Sequence, residues 1–234
     1  MSLDPLPPSF VATRVSVHAL AEHVLCVVRH EAVGRIGLVP VAGGIATPPM
    51  GSADRVVGVI GTEIVDRDRS REQRALVTTV RAAAELVGVS PGLSVSLWHP
   101  VTTLDPDGDL NVDPDALEAL FGWFGFAALV LARFAAAVAS DEDVPPPTLW
   151  PEHFDLATTV AGANFGASPG DDSSQVPYLY VGPHARPFPA AADGYWNAPY
   201  GAALAYPAIA SVDTGVDFLL DGYHAVVADG RETG

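Results

Sequence analysis

From Ala119 to Ala139 the chain reads ALFGWFGFAALVLARFAAAVA, with Arg133 as its only charge. A run this long and apolar belongs either inside a protein or inside a bilayer. Helices that cross membranes carry basic clusters on the cytoplasmic flank. Here both flanks are acidic, LDPDGDLNVDPD before the run and SDEDVPPP after it, and Arg133 lies well within it. The reading is therefore a long buried helix, Pro114 to about Ala139, in a soluble protein that enters no membrane. Ala and Gly let its neighbours pack closely. A further reading places part of it in a homodimer interface.

Around that helix the pattern is mixed. Phe10 to about Arg29 reads as an amphipathic helix. Val17, Leu20, Ala21, Val24 and Val28 form one stripe, and Arg14, His18 and Glu22 another at i, i+4 spacing. Gly34 is its stop signal. Strand-like runs follow at Arg35–Ile45 and Arg55–Val65, then a charged loop, Asp66–Arg74, and a helix over Ala75–Val87 ended by Gly88. Pro91-Gly92 turns into a short strand, Leu93–Trp98. After the long helix, Phe154–Val160, Tyr178–Val181, Ala202–Ile209 and Val216–Leu220 read as strands joined by Gly/Pro-rich loops, and no internal repeat is visible. This order predicts an α+β fold with mainly antiparallel sheet and a long buried helix. DEDVPPP at 141–147 is the candidate boundary between an N-terminal α/β lobe, 1–143, and a β-rich C-terminal lobe, 148–234, unless the two form one domain.

Charge excludes some functions. The chain carries 28 acids against 12 bases, a net −16. Such a surface repels phosphate backbones, so nucleic acid is not an expected partner. All the bases are arginine. Without lysine there is no Schiff base, no pyridoxal-phosphate anchor and no P-loop. The lone Cys26 forms no intrachain disulfide, and the MSLDPLPPSF start lacks a signal pattern. Together these point to the bacterial cytoplasm.

Residues able to carry chemistry concentrate after the long helix. LWPEHFDLA holds Glu152, His153 and Asp155. In an extended strand His153 and Asp155 face one way, and a His beside a carboxylate is the raw material of a general base. No HxH, HExxH or CxxC pattern accompanies them, so no metal and no cofactor is expected. The loops ANFGASPGDD, PYLYVGPH and DGYWNAPYG bring polar-tipped aromatics together with Asn164, Asp171 and His184, and the six tyrosines all lie beyond residue 177. Such residues line ligand sites, or else fasten loops to a sheet. The binding set expected from these features is His153, Asp155, Asn164, Tyr178, Tyr195 and Trp196. At 107–118 the spacing of Asp107, Asp109, Asn111, Asp113, Asp115 and Glu118 imitates a calcium loop. Val112 replaces the turn glycine, however, and Asp113-Pro114 reads better as a helix start.

Four stretches, GRIGLVPVAGGIATPP with RVVGVIGTEIVDRD, VDPDALEALFGWF, HFDLATTVAG, and NAPYGAALAYP with FLLDGYHAV, resemble in order an uncharacterised bacterial family catalogued as a domain of unknown function. The long helix here is more apolar than that family's. The resemblance implies a soluble protein and supplies no catalytic residues. Three functions follow from the residues: a protein binding a small molecule in its C-terminal half, a hydrolase-like enzyme using His153 with Asp155 or Glu152, and a helix-mediated homodimeric interaction protein.

Overall fold

In the computed structural model, which describes residues 4–93, 97–192 and 194–232, the chain is α+β, with two antiparallel five-stranded sheets. It divides into two compact units. The first comprises Pro5–Gly125 and Leu149–Phe154, and the second Phe126–Thr148 and the chain from Asp155 onward. The division runs through the long helix rather than at 141–147, where the loop composition placed it, because successive halves of one continuous helix pack into different units.

In the first unit, α1 (Phe10–Leu20), a π turn (Ala21–Leu25) and α2 (Cys26–Val33) form one continuous helix, ended by Gly34 in the left-handed conformation. The sheet is a meander in chain order: β1 (Val39–Val41), β2 (Gly44–Ala46), β3 (Val56–Ile60), β4 (Glu63–Arg67) and β5 (Glu72–Leu76). Both expected strand runs are therefore hairpins. Gly43 and Gly61 take positive φ at their tips, where a side chain would be strained. The expected charged loop, Asp66–Arg74, takes in the end of β4 and the start of β5. The helix expected from Ala75 begins later, as α3 (Val80–Val87), because Thr79 caps it by accepting from the Ala82 amide. The strand expected at Leu93–Trp98 falls largely outside the described residues.

The amphipathic reading of the N-terminal helix does not hold. Every residue from Ala19 to Val28 is buried, Glu22 and His23 included. The middle of this helix, not the later apolar one, is enclosed on all sides, while Val15 and Val33 nearer its ends are exposed.

The long helix, α4 (Pro114–Val138), starts as expected, with the Asp113 carboxylate accepting from the Ala116 amide. It is buried on one face only. Leu117, Leu120, Trp123, Phe124, Ala127, Val130, Leu131 and Phe134 are at most 1% exposed, whereas Leu129 is 46% exposed. By length and hydropathy both Phe10–Val33 and Pro114–Val138 could cross a membrane, but composition alone carries little weight where helices this apolar also build protein cores.

The second unit holds the end of α4, the last four strands of a second meander and α5 (Val212–Glu232). The sheet order is β10-β9-β8-β7-β6, with β6 (Thr148–Trp150), β7 (Asp155–Val160), β8 (Ala163–Ser168), β9 (Tyr178–Pro183) and β10 (Ala202–Ala205). Its inner face, Leu156, Phe165, Ala167, Leu179 and Val181, is fully buried. Phe134 stacks on Phe165 with centroids 4.7 Å apart, and Tyr223 of α5 meets Phe134 edge-on. The expected strand at Val216–Leu220 is helical. Its glycines bring α5 close to β9: a Cβ at Gly215 would lie 2.9 Å from Leu179, and one at Gly222 2.9 Å from Val181. Each half of the chain thus runs helix, five-stranded meander, helix, a repeat of architecture with no matching repeat of sequence.

Candidate functional site

The residues singled out from the sequence lie mostly on and around the outer face of the second sheet. Tyr178 and Tyr180 alternate onto that face of β9, opposite Ser168 and Gly166 of β8. Tyr180 crosses Gly166, and its hydroxyl donates to Asp155 Oδ2 on β7. The crossing needs glycine, since a Cβ at 166 would lie 2.6 Å from the tyrosine ring. Gly166→Ala is therefore expected to cost about 1–3 kcal/mol, measured by denaturant unfolding, by pushing the ring off Asp155. Beside this pair, the Tyr178 hydroxyl donates to Asp171 Oδ2 at 2.5 Å, while Ser173 and Ser174 donate to Asp171 Oδ1. Tyr200 stacks on Tyr178 and meets Tyr180 edge-on.

Burial, and then the neighbouring Asp155, push the Tyr180 hydroxyl far above the ordinary tyrosine range. Burial and the bond to Asp171 do the same to Tyr178. Burial alone would raise Asp171, but bonds from Ser173, Tyr178 and the Ser173 and Ser174 amides hold it below the ordinary carboxylate range. These phenols stay protonated at neutral pH and their protons already point at carboxylates. The cluster fastens loops to a sheet; none of these groups is poised to take a proton from a substrate.

The other members of the expected set do not join it. Asn164 Oδ1 accepts from Thr159 Oγ1 and lies 3.2 Å from His184 Nε2 at the surface. Tyr195 donates to the Phe218 carbonyl and Trp196 to the Pro189 carbonyl, in an aromatic group with Phe188 and Phe218. His153 is exposed in a turn of the first unit, while Asp155 opens β7 in the second. The alternation that would have put them on one face fails because Phe154 takes φ +53° between them. The His153–Asp155 general base thus lacks its geometry. The sequence placed the PYLY tyrosines on one sheet face; it could not show that Asp171, Tyr180 and Tyr200, rather than Tyr195 and Trp196, complete the cluster.

A second polar cluster lies inside the first unit. The Glu22 carboxylate, on the π turn, accepts from Trp98 Nε1, the amides of Val101 and Thr102, and Thr102 Oγ1, at 2.5–3.0 Å. Burial would raise its pKa, but these bonds hold it below the ordinary range. His18, stacked on Phe154 and hydrogen-bonded to the Pro151 carbonyl, is pushed by burial down to about 4 and is neutral. Burial, then Glu22 and Glu152, raise the Cys26 thiol to about 12, which leaves it unreactive. Here too the acid–base groups are engaged. Asp107 forms a two-point ion pair with Arg81, and Asp113 caps α4, so the calcium-like loop is committed to structure. Among the described residues no group of three or more His, Cys, Asp or Glu is placed to hold a metal.

Three clefts stand out on the surface of the described residues, and none of the three is lined by the six expected residues. One, at the end of α4, is walled by Ala135, Ala136, Ala139 and the acidic turn 140–144. The second lies between the tips of the first two hairpins and the start of α4. The third, about 230 Å³, is a trough on the outer face of the first sheet. The chain matches no family model, no curated protein and no solved structure.

The trough follows from the register. Ala46, Gly58, Val65 and Arg74 face one another across β2, β3, β4 and β5. Ala46 and Gly58 have the smallest side chains of that row, and Val56 and Ile60 rise on either side. The depression thus crosses four strands, roughly 14 Å at the usual spacing. Its floor and walls are apolar. Arg67, Arg74 and Glu72 form its rim. Arg74 is paired with Glu63 and Glu72, while Arg67 makes no ion pair among the described residues. In a chain of net −16, six of the 12 arginines (Arg55, Arg67, Arg69, Arg71, Arg74 and Arg81) fall in this one stretch. The two apolar runs were visible in the sequence, though not that each folds as a hairpin. That small residues would line up across strands was not, because register depends on turn positions.

Proposed function

We propose that the protein is a non-catalytic binding protein that holds an apolar, carboxylate-bearing segment of a partner polypeptide in the trough of its first sheet. The observation that carries this reading is the contrast between the two sheet faces. On the second sheet the polar groups are tied to one another; on the first an apolar trough stands open beside arginines. The trough's size favours a polypeptide over a small molecule. Small-molecule sites are typically roughly 300–1,000 Å³ and enclose most of their ligand. A trough of about 230 Å³ accommodates a few side chains whose bulk belongs to something larger. Arg67 supplies a charge that such a segment can meet, and the acidic remainder of the surface disfavours other placements of a carboxylate. Cytoplasmic residence is part of the same proposal, resting on the single buried cysteine and the lysine-free, acidic composition.

The test is fluorescence anisotropy with a labelled, blocked peptide of leucine and valine flanked by glutamates. Wild-type protein is expected to bind it. Val56→Glu and Arg67→Glu are each expected to weaken binding roughly tenfold, and Tyr200→Ala to leave it unchanged. No binding by the wild type, or a loss caused by Tyr200→Ala instead, would overturn the reading.

A further inference from the structure

The exposed face of α4 is ordered. Glu118, Gly122, Gly125, Leu129, Ala132 and Ala136 are all exposed and recur at alternating spacings of four and three residues. That is the a/d repeat of a coiled-coil seam, held for more than two heptads. Among the described residues nothing requires the two glycines: a Cβ at Gly122 or Gly125 would meet no atom of them within 4 Å. Each costs a helix about 1 kcal/mol relative to alanine. Beside them lies a cleft of about 430 Å³ lined by Val41, Thr62, Leu117, Phe121, Gly122 and Gly125. One turn beyond it on the same seam stands Leu129, 46% exposed. A hole and a knob of matching chemistry thus occupy one stripe of one helix.

We propose that α4 pairs antiparallel with α4 of a second copy of this chain, each Leu129 seated over the other's Gly125 at the mouth of the cleft. Three features select this occupant. First, in the register centred at the level of Ala127 every seam position meets a seam position: Glu118 faces Ala136, Gly122 faces Ala132 and Gly125 faces Leu129. The symmetry places the large residue against the glycine twice. Second, charge fits the same register. Arg133, exposed on the seam's flank and bonded through one nitrogen to Asp213 of its own chain, lies within three residues of the level of the partner's Glu118, about 4.5 Å along the axis, so its remaining donors and that acid meet at both ends. Parallel pairing would instead set Arg133 on Arg133 and Glu118 on Glu118. Third, glycine and alanine at the seam let the helices approach closely. The contact is of modest size. A helix of 25 residues is about 37 Å long. A single helix pair buries less than the ~800 Å² per partner of a standard interface, so a reversible, concentration-dependent dimer is expected.

Sedimentation of the intact protein over a wide concentration range tests this. Wild type is expected to shift from monomer to dimer mass. Arg133→Glu and Glu118→Arg are each expected to weaken the dimer roughly tenfold, and the double variant to restore it. A protein with both Gly125→Cys and Leu129→Cys is expected to form a covalent dimer on oxidation, whereas Leu129→Cys alone is not, since Leu129 meets itself only in parallel pairing. Monomer mass at every concentration, no rescue by the double charge swap, or crosslinking through Leu129→Cys alone would each overturn the proposal. The readout is mass, so it stands or falls separately from peptide binding in the trough.

Discussion

Glu22→Leu is expected to lower stability by about 3–5 kcal/mol, among the largest effects of any single substitution in the chain. The reason is what the carboxylate leaves behind. It is 2% exposed and accepts four hydrogen bonds from the segment 98–102. Bonds to a charged group contribute roughly 1.5–3 kcal/mol each. The total is smaller because part of that segment, Val101 for instance, is 64% exposed and its amides can turn to water once released. The same site makes the protein sensitive to acid. His18 has a folded pKa near 4 against an ordinary 6.5, so below 6.5 the unfolded chain takes a proton that the folded chain refuses. Stability is then lost as pH falls through that window. Glu22, whose folded pKa lies below its ordinary value, contributes above the ordinary glutamate range and loses that contribution as pH falls further. Urea midpoints against pH should decline below about 6.5. In His18→Phe the decline should begin only in the carboxylate range.

Phe134→Ala is expected to cost about 3–5 kcal/mol, while Leu129→Ala, five residues earlier in the same helix, should cost less than about 1 kcal/mol at concentrations where the chain is monomeric. Phe134 is fully buried, stacked on Phe165 and edge-on to Tyr223, so truncation opens a cavity between α4, β8 and α5. Leu129 faces outward and leaves no cavity. Denaturant unfolding of the two variants side by side measures the difference. Comparable losses would mean that α4 is enclosed on all sides.

That comparison also marks where the sequence misleads. Both long helices were visible, with their stops at Gly34 and starts at Pro114, because caps and periodicity are local. Which one is enclosed was not. Arg14, His18 and Glu22 at i, i+4 spacing resemble a wet face, yet Arg14 and Glu22 are buried and His18 is largely covered, because a loop some eighty residues away brings Glu22 its donors. The uniformly apolar α4 leaves its smallest side chains outside. In α5 the glycines that allow contact with β9 also weaken the helical signal, so Val216–Leu220 resembled a strand. The candidate site divides in the same way. PYLY set two tyrosines on one sheet face, as period two requires. Asp155, Tyr195 and Trp196 found their partners through pairings that only the fold supplies.

Resonance mapping tests the proposed function most directly. Amide spectra of the isotopically labelled protein, recorded as the unlabelled leucine/valine/glutamate peptide is added, show which sheet face responds. Shifts should cluster at Ala46, Val56–Ile60, Val65 and Arg67, around the trough, and leave Tyr178, Tyr180 and Tyr200 undisturbed. Shifts gathered at the tyrosine face, with the first sheet silent, would contradict a binding trough on that sheet.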